Sequence, residues 1–231
     1  MTAPAKFLIV TADDFGISRG VNRGIVEAHR AGILTSTSLM VNRPAAEQAA
    51  DVGRACPDLS IGLHLELDAD GARDVPTELT RQLSRFTELV GAAPTHVDSH
   101  HDVHKSPRVL PDVQAWAQRI GVPVRGCSRV RHLSKFYGQW GGETHLEQIS
   151  VDGLLRLLDA ELSPGVTELT CHAGYVDEGL SSSYRVELEA ELRTLCDPRV
   201  RPALVERSIR LVGFRDLPAL MAASPVSEGA A

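Results

Sequence analysis

The sequence predicts a single-domain parallel α/β fold, barrel-like, with about seven strands. Two observations carry this reading. Apolar runs of strand length alternate with amphipathic stretches of helical period along 231 residues, and acidic and histidine residues gather where those runs end. Alternating strands and helices build parallel sheets, whose strand ends share the face on which barrel active sites form. The length suits one large α/β core. The domain is expected over residues 1–223, with 224–231 a disordered tail.

Phe7 to Ala12 is a continuous apolar run, as a strand covered on both faces requires, and it ends at Asp13-Asp14. Ser18 is an N-cap for a helix carrying Val21, Ile25 and Ala28 on one face and stopping at Gly32. Ile33 to Val41 reads as a second strand, broken at Asn42-Arg43-Pro44, and an alanine-rich helix follows to about Cys56. Leu59 to Leu65 is a third strand. A polar loop from Asp68 to Val75 leads to a helix aligned on Leu79, Leu83, Phe86 and Val90. Thr95 to Ser99 is a fourth strand, and Pro107 to Ile120 a helix that Pro111 starts or kinks. Val122 to Arg125 is a short fifth strand. Gly126 to Ser150 is irregular and reads as a functional loop. Val151 to Leu162 is helical, Val166 to Cys171 a sixth strand, Ser182 to Cys196 a helix, Ser208 to Phe214 a seventh strand and Arg215 to Ala223 a last helix.

Composition narrows the partners. The formal charge of -6, without a run of Lys or Arg, gives no footprint for nucleic acid or an anionic membrane surface. Phe7-Leu-Ile-Val10 is too short for a membrane span or a signal-peptide core, so a cytoplasmic protein acting on a small molecule is expected. Its oligomeric state is left open, a homodimer included. The four cysteines lie far apart without a C-x-x-C pair and read as buried, reduced thiols.

The chemistry concentrates in Pro94-Thr-His-Val-Asp-Ser-His-His-Asp-Val-His104, with four histidines and two aspartates. Asp13-Asp14 follows the first strand, His64 lies near the end of the third and His172 follows the sixth, so topology brings them together. A catalytic transition-metal site uses imidazoles and a carboxylate and keeps a position open. Asp14, His64 and either His100 or His104 satisfy that by spacing. A divalent ion acidifies water, which makes hydrolysis the natural reaction. Asp13, next to Asp14, is placed to accept a proton, and His172 to give one to a leaving group.

The remaining candidates have plainer readings beside the functional ones. His29, His96, His132 and His145 default to structure or surface. Asp98 is placed to hold a ligand imidazole by its second nitrogen, and His101 and His104 either orient ligands or stabilise the loop. Arg125 either meets a substrate hydroxyl and tunes Asp13 or makes a surface ion pair. Tyr137 and Trp140 either stack on a substrate ring or pack in the core. Asp-Phe-Gly at 14–16 lacks the glycine-rich loop and H-R-D segment of a kinase.

Taken together, Thr11-Ala-Asp-Asp-Phe-Gly16, Thr35-Ser-Thr37, Gly62-Leu-His64, Pro94-Thr-His-Val-Asp-Ser-His-His101 and Glu168-Leu-Thr-Cys-His172 resemble the YdjC-like carbohydrate deacetylases, which include chitooligosaccharide deacetylase. The resemblance spans nearly the whole chain. It implies Asp14, His64 and His100 as ligands of one Mg²⁺ or Zn²⁺ ion, Asp13 as base, His172 as acid, a barrel-like fold and removal of acetyl from an N-acetylated sugar. Between His100 and His104 it selects His100. Three positions depart from the pattern: His100-His-Asp-Val-His104 where members read His-His-His-x-His, Ala173 where they carry Pro, and Glu66 and Asp68 ahead of a short loop where they insert a longer segment. A phosphoesterase or sugar isomerase on the same metal, or a sugar-binding protein without turnover, are the alternatives.

Overall fold

The computed structural model describes residues 5–70 and 74–223. The expected tail at 224–231 and the middle of the polar loop after Asp70 lie outside the described residues. In chain order the elements are β1 (Lys6–Phe15), α1 (Arg19–Ala31), β2 (Ser36–Leu39), α2 (Ala46–Arg54), β3 (Ser60–Leu65), α3 (Val75–Val90) and β4 (Val97–Ser99). A 3₁₀ segment, His100–Lys105, precedes α4 (Leu110–Ile120), β5 (Arg131–Leu133), β6 (Gln139–Trp140) and β7 (Glu143–Thr144). The chain continues through α5 (Val151–Glu161), β8 (Gly165–Cys171), α6 (Val186–Leu195), α7 (Val200–Glu206), β9 (Ile209–Leu211) and α8 (Leu217–Ala223).

Seven strands make one parallel sheet in the order β4-β3-β2-β1-β8-β5, with β9 paired to β1. β1 is its axis, and β8 runs along one edge from Lys6 to Ala12. The other edge is shared, β9 holding Lys6 to Leu8 and β2 taking over from Thr11. Continuous apolar sequence in the first half of β1 suits a strand covered on both faces, and Leu8, Ile9 and Val10 of β1 and Leu169 of β8 are fully buried. The sheet curls into a half-barrel. Arg125, beside the outer edge of β4 through the Val97–Val124 bridge, reaches carboxylates on β1, β4 and β8 at once.

Small residues let the layers close. A Cβ on Gly62 of β3 would fall 2.4 Å from His96 Cε1, so the imidazole lies flat over the strand only because this position is glycine. A Cβ on Gly24 would sit 2.6 Å from Gly174 Cα, which fixes α1 against the segment leaving β8. Ser18 caps α1 through the Val21 amide, as expected. Pro111 falls in the first turn of α4, where its missing N–H costs nothing, so the helix starts at Leu110 instead of kinking.

Four expectations need correction. Val122 to Arg125 is not a strand but a single parallel bridge at Val124. The fifth strand in chain order is Arg131–Leu133, inside the stretch expected to be irregular, and it pairs with β8 at the sheet edge opposite β4. Val200–Glu206, between the expected sixth helix and seventh strand, is a further helix. The cysteines are all free, but only Cys56 and Cys171 are buried; Cys127 is exposed and Cys196 half-buried. No helix among the described residues is long and apolar enough to cross a membrane.

Candidate active site

The strand ends of β1, β3, β4 and β8 surround a pocket of about 280 Å³ lined by Asp13, Asp14, His64, His100, Arg125 and His172, among others. The two aspartates reach it through a backbone irregularity. The β1–β2 register shifts between Ala12 and Phe15, and Asp14 adopts φ 66°. A bulge of this kind re-aims side chains, so adjacent carboxylates both meet the pocket instead of alternating across the sheet. Asn22 holds the turn that follows, accepting from the Gly16 amide at 2.7 Å and donating to the Ala45 carbonyl at 3.0 Å.

Asp14 Oδ1 lies 3.3 Å from His64 Nε2 and 3.1 Å from His100 Nδ1. One ligand atom from each of the three lies within 4.8 Å of the others. His64 is turned by Asp98, whose Oδ1 is 2.7 Å from Nδ1, and Asp98 also accepts from Ser38 Oγ at 2.6 Å. A carboxylate behind an imidazole, fixing the tautomer that presents the other nitrogen, is the usual support of a metal ligand. Burial opposes charge on His64, but Asp98, Asp13 and Asp14 together hold its pKa well above the ordinary value. Burial likewise works against an ionised Asp14, and the bonds from His100 and His64 outweigh it, leaving the carboxyl well below its usual range. The two shifts describe mutual stabilisation of the Asp14 carboxylate and the His64 imidazole. Two nitrogens and a carboxylate oxygen fit a zinc-type ion better than magnesium, which prefers an all-oxygen shell.

Arg125 is the second centre, and it is buried, not a surface ion pair. Its Nη1 and Nη2 donate to the two oxygens of Asp13, each at 2.7 Å. Nη2 also lies 2.6 Å from Asp98 Oδ2, and Nε donates to Glu168 at 3.1 Å. Both Asp13 oxygens are thereby oriented, and each keeps a lone pair for a further partner.

The other histidines separate by their partners. His96 sits between Thr95 Oγ1 at 2.9 Å and Ser38 Oγ at 3.1 Å and stacks on Phe214; burial pushes its pKa down to about 3. His104 is tied to Ser99 Oγ at 2.8 Å and the Arg125 carbonyl at 3.1 Å, so it stabilises the loop after β4. Both rings are saturated and structural. His172 differs: its Nδ1 is buried without a partner, a costly arrangement that a structural histidine avoids. The His172 backbone amide donates to Glu191 at 2.6 Å. Tyr184 also donates to Glu191 and stacks on Tyr137 with ring centroids 4.7 Å apart. His132, read from sequence as structural or surface, lines the pocket, as do Thr170 and Tyr184. Tyr137 lies at the rim, while Trp140 is half exposed and stacks on His145. His101, at φ 55°, turns the chain past His100.

A parallel half-barrel with an Asp-His-His donor set, a second aspartate and an unpaired histidine at its strand ends defines a class of metal-competent hydrolase folds. Within that class the chain belongs to the family described as YdjC-like protein, whose model matches residues 7–75 and 69–206. A carbohydrate deacetylase of Geobacillus stearothermophilus is 35% identical over 91% of this chain and 98% of its own length. A chitooligosaccharide deacetylase of Klebsiella pneumoniae is 34% identical over 92% of this chain and 99% of its own. Among solved structures, an Enterococcus faecalis V583 protein described as a candidate cellobiose-phosphate cleavage protein superposes with TM-score 0.80 at 28% identity, covering 92% and 99% of the two chains. A cobalt-bound family 4 acetyl xylan esterase of Clostridium thermocellum shares the fold, with TM-score 0.60 at 12% identity over 95% of this chain and 93% of its own.

Proposed function

We propose that this protein is a metal-dependent carbohydrate deacetylase that hydrolyses the acetamido group of an N-acetylated sugar to acetate and a free amine. The observation that carries this is one pocket holding Asp14, His64 and His100 as a donor set, Asp13 beside it and His172 across from it. The names of the relatives, aligned over nearly their whole length, supply the substrate class.

In this reading Asp14, His64 and His100 hold one divalent ion, zinc-like by its donors, which when bound acidifies water and polarises a carbonyl oxygen. Asp13 takes the proton of the attacking water on a lone pair that Arg125 leaves free, and the guanidinium keeps that carboxylate aimed. His172, whose buried Nδ1 has no partner, gives a proton to the departing amine. Asp98 keeps His64 in the tautomer that faces Asp14. Base and acid therefore stand at the ends of different strands, Asp13 in β1 and His172 just after β8.

The test is acetate release by metal-restored protein from a panel of N-acetylglucosamine oligosaccharides. Release that stops on chelation supports the reading, and no release from any acetylated sugar overturns it. The Enterococcus faecalis relative favours examining phosphate ester cleavage alongside. Against that, Arg125, which lines the pocket, is held by three carboxylates, which leaves it no face for a phosphate.

A further inference from the structure

The pocket contains a hydrogen-bond chain that this chemistry does not use. Lys105 Nζ lies 3.1 Å from His132 Nδ1, and His132 Nε2 lies 2.8 Å from Thr170 Oγ1. Lys105 also donates to Asp102 at 2.7 Å. His132 stands on β5 in register with Glu168 of β8. Thr170 is two residues further along β8, on the strand face that carries His172. His132 and Thr170 both line the pocket.

The chain can run in only one direction. An ammonium group has hydrogens to give and no lone pair, so His132 Nδ1 must accept from Lys105. A neutral imidazole with a bare Nδ1 carries its hydrogen on Nε2, and that hydrogen goes to Thr170 Oγ1. Thr170 is therefore an acceptor toward His132, and its own hydroxyl hydrogen remains to be donated. Thr170 is 7% exposed and borders the cavity, so the direction left for that hydrogen is the cavity itself. The opposite tautomer, or a charged ring, would set an N–H against the Lys105 ammonium. Burial first, then the charges of Arg125 and Lys105, push the His132 pKa down to about 4, in keeping with a neutral ring.

We infer that Thr170 is a substrate-binding residue whose hydroxyl donates to an uncharged oxygen of the bound acetylated sugar, its direction set by Lys105 through His132. A sugar presents hydroxyl, ring and acetamido oxygens, all neutral acceptors, and a directed hydroxyl recognises them without adding charge beside the metal donor set. Thr170 touches substrate; His132 and Lys105 are positioning residues. The identity of the ligand rests on the deacetylase reading, whereas the polarity of the chain does not.

Two measurements test this separately. Histidine ¹⁵N NMR on the free protein is expected to show His132 as the neutral Nε2–H tautomer near pH 7, with Lys105→Met giving a mixture of tautomers. A charged or Nδ1–H His132 in the wild type overturns the relay. In acetate-release kinetics, Thr170→Val is expected to raise KM roughly three- to tenfold, the worth of one hydrogen bond, with kcat little changed and Thr170→Ser restoring KM. An unchanged KM in Thr170→Val, or a Thr170→Ser variant as weak as Thr170→Val, overturns the substrate contact. If the wild type releases no acetate from any acetylated sugar, the deacetylase reading and the sugar contact fall together, and the tautomer still decides the relay.

Discussion

Replacing Arg125 with methionine removes the single cation that faces Asp13, Asp98 and Glu168 together. All four side chains are at most 9% exposed, so water cannot replace the lost guanidinium. Removing one partner of a buried ion pair costs about 3–5 kcal/mol. Partial relief comes from Glu168: burial, opposed by Arg125, already raises its pKa, so it takes up a proton when the cation is gone. Asp98 keeps His64 and Ser38, whereas both Asp13 oxygens lose their guanidinium donors. For a chain of this length each kcal/mol lowers Tm by about 2–4 °C, which places Arg125→Met about 6–20 °C below wild type. Differential scanning calorimetry at pH 7 measures it, with Arg125→Lys falling between because it restores charge without the two-pronged grip. A Tm within about 2 °C of wild type, at most about one kcal/mol on the same scale, would refute the reasoning that this cluster is held by its cation.

Other consequences follow from individual residues. Asp13→Asn is expected to lower kcat by about 10²-fold or more with metal content by elemental analysis unchanged; loss of metal as well would make Asp13 a ligand instead of the base. His172→Gln is expected to lower kcat comparably, at about 10²-fold, and an unimpaired variant would remove it as the acid. Glu191 is buried, and burial raises its pKa from 4.5 to about 7, opposed by His172 and Tyr184. The fold thus favours its protonated form, so its contribution to stability is complete below pH 4.5 and is lost as pH rises through about 7. Urea melts of wild type and Glu191→Gln over that range check the sign: the variant should lose this part of the slope, and an identical slope would contradict it.

Much of the site was legible because it is written at strand ends. Asp13 and Asp14 close a six-residue run from Phe7 to Ala12, His64 lies near the end of the third strand and His172 follows β8, so parallel topology alone brings them to one face. The alternation of seven such runs similarly exposed the sheet. What was missed or left open is short or non-local. Arg131–Leu133 forms the edge strand beside β8 with three residues, too few for a period to register, and it is recruited by pairing with β8 instead of by its own pattern. Arg125 contacts Asp13 across 112 positions of sequence, and nothing local distinguishes it from a surface arginine. The same holds for His132, whose partners Lys105 and Thr170 come from two other segments. Glu191 lies on a helix with acidic neighbours at Glu187 and Glu189, and only packing shows that it turns inward beneath His172. The choice between His100 and His104 could not be made by spacing. In the structure His104 is saturated by Ser99 and the Arg125 carbonyl, while His100 faces Asp14.

Anomalous diffraction from crystals soaked in zinc bears most directly on the central proposal. The account predicts one peak among Asp14, His64 Nε2 and His100, at about 2.0–2.2 Å from each ligand atom. Two other groups could also hold an ion, Asp13-His64-Asp98 and His96-Asp98-Glu168. A peak at either, with none beside His100, would contradict it.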